Sequence, residues 1–206
     1  MQPLIVNVEG KKVVIVGGGK IAARKAETLS IQKATLIFIS PFFCDKVLQL
    51  CNDNEYQLIH REARPNDFED AFLVILATND RQTNHSLAKM LSPNQLVCVV
   101  DKYEEGNVTF PAVVKRGHLL IAVTTNGSSP KLSRKLKHEF DQRFDHSWVT
   151  YSAFLLQCRR IVKELNIGLE EKNRLLEEIL EDRYRIDGHV REQLLAKIQD
   201  LTESNR

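Results

Sequence analysis

With 206 residues, 43% of them hydrophobic and 27% charged, the chain has room for one ordinary domain plus a smaller appendage, and its composition is that of a soluble globular protein. No apolar run approaches a membrane span, Met1-Gln-Pro-Leu4 lacks the basic start of a signal peptide, and the four scattered cysteines contain no C-x-x-C pair, so a reducing, cytoplasmic setting is expected rather than zinc or disulfides. The net charge of +2 is unevenly spread: residues 111–143 hold seven Lys/Arg against two Asp/Glu, a local basic surface suited to an anionic ligand, where a nucleic-acid binder would show a broader stripe.

In chain order, Leu4-Ile-Val-Asn-Val8 predicts a short strand, and Glu9-Gly-Lys-Lys12 turns the chain into a second apolar run. Val13 to Val16 is unbroken and β-branched, the pattern of a strand buried on both faces of a parallel sheet. Gly17, Gly18 and Gly19 follow at once, and Ile21 to Leu29 reads as a helix. Gly17-x-Gly19-x-x-Ala22 therefore fits the dinucleotide fingerprint in its G-x-G-x-x-A form. Gly17 can make the tight turn, Gly19 lets backbone N–H groups approach a pyrophosphate, and Ala22 keeps helix and strand close. A glycine turn between any strand and helix is the plainer alternative, but this one has the strand before and the helix after that the fingerprint requires.

Ala34 to Ser40 predicts the next parallel strand, halted by Pro41. Ser40-Pro41 stands where such a fold meets the adenosine ribose, and with neither an acid nor clustered arginines there, the choice between NAD and NADP stays open at this strand end. Phe42 to Asn52 predicts a helix, Tyr56 to Ala63 a strand, Asp67 to Phe72 a short helix, and Leu73 to Thr78 another strand closed by Asn79-Asp80. Asn84 to Met90 is helical, and Leu96 to Val100 gives a strand ending in Asp101. This alternation predicts a doubly wound α/β domain, whose ligands gather at the carboxyl ends of the strands, where Gly17, Ser40, Thr78 and Asp101 lie.

After Pro111 the pattern changes. Val108 to Val114 and His118 to Thr125 predict two strands joined at Lys115-Arg-Gly117. Thr124 to Pro130 is a loop of small polar residues, in which Ser129 can cap a helix with Pro130 at its first position. Leu132, Leu136 and Phe140 share one face of that helix, leaving Lys131, Arg134, Lys135 and Lys137 on the others. Loop and helix start together could hold an anion, and an ordinary cap on a solvated basic helix is the other reading. From Ser147 the chain is helical, with Trp148 to Leu165 at a 3.6-residue period that reads as core, then helices over Leu169 to Asp182 and His189 to Leu201.

Taken together, Val13-Val-Ile-Val-Gly-Gly-Gly-Lys-Ile-Ala-Ala-Arg-Lys25, Leu76-Ala-Thr-Asn79, Val99-Val-Asp101, Phe110-Pro-Ala112 and Ile121-Ala-Val-Thr-Thr-Asn-Gly-Ser-Ser-Pro130 resemble, in order and spacing, the precorrin-2 dehydrogenases, the dehydrogenase/ferrochelatase module of siroheme synthases. The resemblance covers about residues 1–145. It implies a Rossmann-type parallel sheet over 1–113, a small α+β dimerisation domain over 114–145 and a C-terminal helical domain over 146–206. It also implies oxidation of precorrin-2 to sirohydrochlorin with NAD, in a homodimer acting on an anionic tetrapyrrole.

By the same resemblance the important aspartate is Asp101. The cofactor-contacting positions are Lys20, Ile21, Pro41 and Phe42, beside Gly17, Gly18, Gly19, Ala22, Ser40, Thr78 and Asn79 at the strand ends. The family's serine-glycine loop falls on Thr125, Asn126, Gly127 and Ser128, with Thr124-Thr125-Asn126 standing where Ser-Ser-Gly is common. Arg134 and Lys135 complete the candidate substrate site. Some members also insert ferrous iron; the six histidines here show no paired spacing, and no fixed metal site is expected. A rival from another class is an NAD-sensing regulator whose helical tail signals to a partner.

Overall fold

The computed structural model describes residues 1–204. The chain divides into two compact units, residues 1–110 and 111–206. The second unit contains both the expected dimerisation segment and the expected helical domain.

In the first unit, β1 (Lys12–Val16) leads into α1 (Lys20–Ser30), β2 (Thr35–Ile39), α2 (Asp45–Asn54), β3 (Gln57–Ile59), β4 (Leu73–Leu76), α3 (Arg81–Met90) and β5 (Leu96–Val99). All pairings are parallel, in the order β3-β2-β1-β4-β5, so the chain reverses direction across the sheet between β1 and β4. Alternate residues of β1 serve opposite layers. Val13 and Ile15 pack with Ala22, Ala23, Ala26 and Leu29 of α1 and Val47 and Cys51 of α2, whereas Val14 and Val16 pack with Phe68 and with Leu87 of α3. Side chains this apolar, each worth about 1.5–3 kcal/mol when fully buried, explain why β1 sits at the centre of the sheet. The three alanines of α1 let the helix lie close on it.

Several expected boundaries move, each for a local reason. Leu4 to Val8 forms no strand: Leu4 and Ile5 are exposed, only Val8 enters the core, and β-propensity without a ladder partner fixes nothing. The strand expected over 56–63 shrinks to Gln57–Ile59. Beyond it, Arg61 grips Asp67 through two hydrogen bonds of 2.7 and 2.6 Å, and the Arg64 N–H donates to the same carboxylate at 2.6 Å. With Pro65 at its start, this clamp winds Pro65–Phe68 as a 3₁₀ turn in place of the helix expected over 67–72. The helix expected from Phe42 begins at Asp45, because the Cys44 N–H is drawn to the Gly18 carbonyl at 2.8 Å.

The second unit opens with the antiparallel hairpin β6 (Ala112–Arg116) and β7 (Leu119–Val123). Its strand starts at Ala112 and not at the expected Val108, since Pro111 has no N–H for a ladder and the N–H groups of Asn107 and Val108 both turn back to the Val97 carbonyl. Gly117 takes φ +60° at the first central position of the two-residue turn, where glycine is favoured. Then follow α4 (Pro130–Arg143), α5 (Ser147–Glu164), α6 (Leu169–Glu178), α7 (Asp182–Ile186) and α8 (Gly188–Ser204). Tyr151, Phe154, Cys158 and Val162 of α5 form the helical core with Ile179, Tyr184, Leu194 and Ile198, so the aromatic stripe is packing, as expected. The helix expected over 169–182 breaks at Ile179, whose carbonyl accepts the Tyr151 hydroxyl at 2.9 Å.

Candidate active site

The carboxyl ends of β1 and β4 meet where the sheet order reverses. Gly17 takes φ +119°, and a Cβ there would stand 2.4 Å from the Ala77 carbonyl oxygen. At Gly18 a Cβ would fall 1.9 Å from the Phe42 carbonyl oxygen, so this glycine lets the 42–44 segment close over the turn. Gly19 is different: a Cβ there meets nothing within 4 Å. It is the N-cap of α1, with no side-chain cap and no acidic residue in the first turn. The first N–H groups of α1, their positive dipole end and an open glycine form a cradle that fits a pyrophosphate. The expected cofactor residues gather around it: Lys20 and Ile21 are exposed on the first turn, Ala22 is buried beneath, and Ser40, Pro41 and Phe42 continue from the end of β2. Phe42 leaves its ring largely in solvent.

Thr78 and Asp101, beyond the ends of β4 and β5, are joined by a residue the sequence reading missed. Asn84, in the second turn of α3, is completely buried. Its Oδ1 accepts the Thr78 N–H at 3.2 Å and the Thr78 hydroxyl at 2.7 Å, while its Nδ2 donates to the Thr78 carbonyl at 3.2 Å and to Asp101 Oδ1 at 3.0 Å. A signal for it was available. Asp80 caps α3 by accepting the N–H groups of Gln82 and Thr83, which moves the helix start to Arg81 and aligns Asn84 with the buried Leu87.

The other Asp101 oxygen, Oδ2, lies 3.4 Å from the Arg81 guanidinium. Arg81 is held chiefly by Glu105, which takes both of its terminal nitrogens, one at 2.9 Å. That pairing, helped by His85 at 3.0 Å, holds the Glu105 carboxyl at about 2, well below the usual carboxylate range. Arg81, His85 and Glu105 were also missed; they come together only when α3 packs beside the 3₁₀ turn Tyr103–Glu105. Among the described residues no three His, Cys, Asp or Glu side chains gather as a metal site would require.

The expected substrate residues belong to the second unit. Thr125, Asn126, Gly127 and Ser128 form the loop before α4, with Asn126 and Gly127 at positive φ. The Thr125 hydroxyl is engaged inside the loop, accepting the Ser129 N–H at 3.1 Å and meeting the Ser133 hydroxyl at 3.2 Å. Ser128 returns its hydroxyl to the Thr125 carbonyl at 2.7 Å. Ser129 caps α4 through the Leu132 N–H with Pro130 at the first position, as expected. Arg134 and Lys135 stand exposed on the first turns of the helix; Lys135 makes a 3.9 Å surface pairing with Glu139.

Family models match in the order of these elements: an NAD(P)-binding model over residues 4–112, the central domain of a sirohaem biosynthesis protein over 116–143, and the SirC C-terminal domain over 148–194. A precorrin-2 dehydrogenase of Bacillus subtilis (strain 168) is 37% identical over 78% of this chain and 99% of its own length. The chain belongs to the precorrin-2 dehydrogenase family. Another precorrin-2 dehydrogenase, from Priestia megaterium, is 28% identical over 97% of this chain and 98% of its own. The solved structure of SirC, a precorrin-2 dehydrogenase, superposes with a TM-score of 0.85 at 28% identity, covering 97% of this chain and 100% of that one. A siroheme synthase of Photorhabdus laumondii is 28% identical over 98% of this chain but only 44% of its own length. The first model ends beside the division between the two units, so the glycine cradle and the Asn84–Asp101 pair both lie within the family's cofactor domain.

Proposed function

We infer that the chain is an oxidoreductase of siroheme biosynthesis that converts precorrin-2 to sirohydrochlorin with NAD. The observation that carries this reading is the pairing of an open pyrophosphate cradle after β1 with a held carboxylate after β5. Only β4 separates these strands, so their ends are about 10 Å apart, two inter-strand spacings. That span suits a cofactor whose phosphates lie at the glycines and whose reactive ring lies toward Asp101.

The reaction removes two hydrogens from the tetrapyrrole, one as hydride and one as a proton. When bound, NAD supplies the hydride acceptor. The chain supplies the rest: the backbone of Gly17 to Lys20 holds the phosphates, Ser40 to Phe42 and Thr78-Asn79 border the cofactor, and Asp101 accepts the proton at Oδ2. Thr125 to Ser128 shape the loop before α4, the helix on which Arg134 and Lys135 receive substrate carboxylates. The rival reading, an NAD-sensing regulator, needs the cradle and leaves the bond from the buried Asn84 to Asp101 without a purpose.

Steady-state kinetics with precorrin-2 and saturating NAD test the assignment. Asp101→Asn keeps the shape and removes the proton acceptor, so turnover should fall by about a hundred- to ten-thousand-fold while calorimetric NAD affinity is unchanged. Near-wild-type turnover would make Asp101 a strand terminus only, and absence of turnover in the unaltered chain would overturn the activity.

The enzyme's partner is a second copy of itself. No residue of α4 is buried, Leu132 is 45% exposed, and Leu136 and Phe140 are only half-covered, an apolar edge that a homodimer would close. Sedimentation at micromolar concentration should give a dimer; a strict monomer would refute it. A cytoplasmic location accompanies this biosynthetic role and is checked by cell fractionation; among the described residues no helix is long and apolar enough to cross a membrane.

A further inference from the structure

We propose that Asn84 is the positioning residue of the reaction, aiming the Asp101 carboxylate and tying it to the strand end that borders the cofactor. The proposal rests on Asp101 being the proton acceptor. A buried primary amide is costly unless satisfied, and asparagine is a poorer helix former than leucine or alanine. Here all of its hydrogen-bonding capacity is used, two donors and two acceptor positions, on just two residues, Thr78 and Asp101.

The partners also force its orientation. The Thr78 backbone N–H can only donate, so Oδ1 must face it, and an ionised carboxylate can only accept, so Nδ2 must face Asp101. Reversing the amide would put two like groups together at both ends. Asp101 would otherwise be a short side chain with two free torsions, 31% exposed at a strand end. With Oδ1 fixed by a neutral N–H, the proton falls to Oδ2, whose one charged neighbour among the described residues, the Arg81 guanidinium, stands 3.4 Å away and is held chiefly by Glu105. Because Asn84 holds Thr78 at three points, the end of β4 and the carboxylate beyond β5 move as one piece. Proton acceptor and cofactor border thus keep a fixed relation, which is where rate is lost when positions drift by an ångström.

A purely structural amide, one that merely finishes β4, would use the three Thr78 bonds alone. Asn84→Asp bears hardest on the second role, since it keeps an oxygen for the Thr78 N–H and hydroxyl, gives up the donor to the Thr78 carbonyl, and sets a second carboxylate against Asp101. Two carboxylates in contact retain a proton to higher pH. Since the proton acceptor must be ionised, activity is lost as pH falls through that retained proton. The acid limb of the turnover–pH profile should therefore move up by about one unit or more, and turnover at neutral pH should drop at least tenfold. Asn84→Ser, whose shorter side chain withdraws the amide from Asp101 without adding charge, should lower turnover with the limb in place.

The decisive measurement is a cycle in which each variant is also made in an Asp101→Asn background, with NAD affinity read by calorimetric titration. If Asn84 acts through Asp101, its replacement costs less than twofold in that background and NAD affinity stays within twofold throughout. Equal losses in both backgrounds, an unmoved acid limb in Asn84→Asp, NAD affinity falling in step with turnover, or failure of both variants to fold would each overturn the proposal. Failure of the underlying reading looks different: Asp101→Asn alone would then retain turnover.

Discussion

Two polar clusters, one in each unit, show how differently a chain can engage its hydroxyls, amides and carboxylates. Around Thr125 every bond closes within a few residues: Thr125 to Ser129 and Ser133, Ser128 to Thr125, and Ser129 to Leu132. Such local bonds are what serine, threonine and asparagine make in any turn that precedes a helix, and they need nothing else from the fold. Around Asn84 the bonds run between the end of β4, the second turn of α3 and the end of β5, seventeen residues apart in the case of Asp101. Nothing local demands that arrangement. The first cluster builds a loop; the second holds a carboxylate in place, and that difference is why we propose catalysis at the second.

The largest effects should come from breaking the strand ends themselves, and the glycines divide into two kinds. At Gly18 an added Cβ meets backbone at 1.9 Å, so Gly18→Ala must displace the 42–44 segment. It should cost roughly 3 kcal/mol and lower the melting temperature by about 6–12 °C. At Gly19 there is open space, φ is −90°, and the position is an N-cap. Aspartate is favoured at such a position and opposes the helix dipole favourably, so Gly19→Asp should leave the melting temperature unchanged or slightly raised. It should nevertheless abolish NAD binding, because its carboxylate stands where the pyrophosphate must come. Thermal melting and calorimetric titration of the two variants test this. A folded Gly19→Asp protein with normal NAD affinity would remove the cradle from the cofactor site, and a Gly18→Ala protein of normal stability would mean that the turn has room the structure denies it.

The same contrast explains what could be read from the residues alone. The parallel sheet was legible because Val13 to Val16 is apolar at every position and glycines follow it, a pattern few other contexts produce. The Ser129 cap was legible because capping is a matter of three consecutive residues. The Asn84 cluster was not, because its members are spread over Thr78, Arg81, Asn84, Asp101 and Glu105, and no period or spacing links them until α3 lies against β4 and β5. Even so, Asp80 marked the true start of α3, and reading it as a cap would have brought Asn84 to the buried face. The strand expected at Leu4 to Val8 failed for the opposite reason: its pattern was right, but a strand exists only where a ladder receives it.

The smallest effects should appear in the second unit, and they separate shape from charge. The Thr125 hydroxyl is half-buried and serves two partners, so Thr125→Val leaves the Ser129 N–H without its acceptor and should cost about 1 kcal/mol of stability. Lys135 is solvated and pairs with Glu139 at 3.9 Å, so Lys135→Glu should change stability by less than about 0.5 kcal/mol. Substrate binding should rank them the other way. If, as proposed, the positive charge of residues 111–143 receives the carboxylates of the tetrapyrrole, reversing one charge there, at Lys135 or Arg134, should raise KM several-fold at low ionic strength with little change in kcat. The effect should shrink as salt rises toward physiological strength, where the screening length is about 8 Å. Thr125→Val keeps those charges, so its KM should follow salt just as the unaltered enzyme's does. Kinetics at two ionic strengths, beside thermal melts, decide the matter: equal KM values for Lys135→Glu and the unaltered enzyme at low salt would mean that α4 presents an ordinary solvated face and that the substrate's carboxylates are received elsewhere.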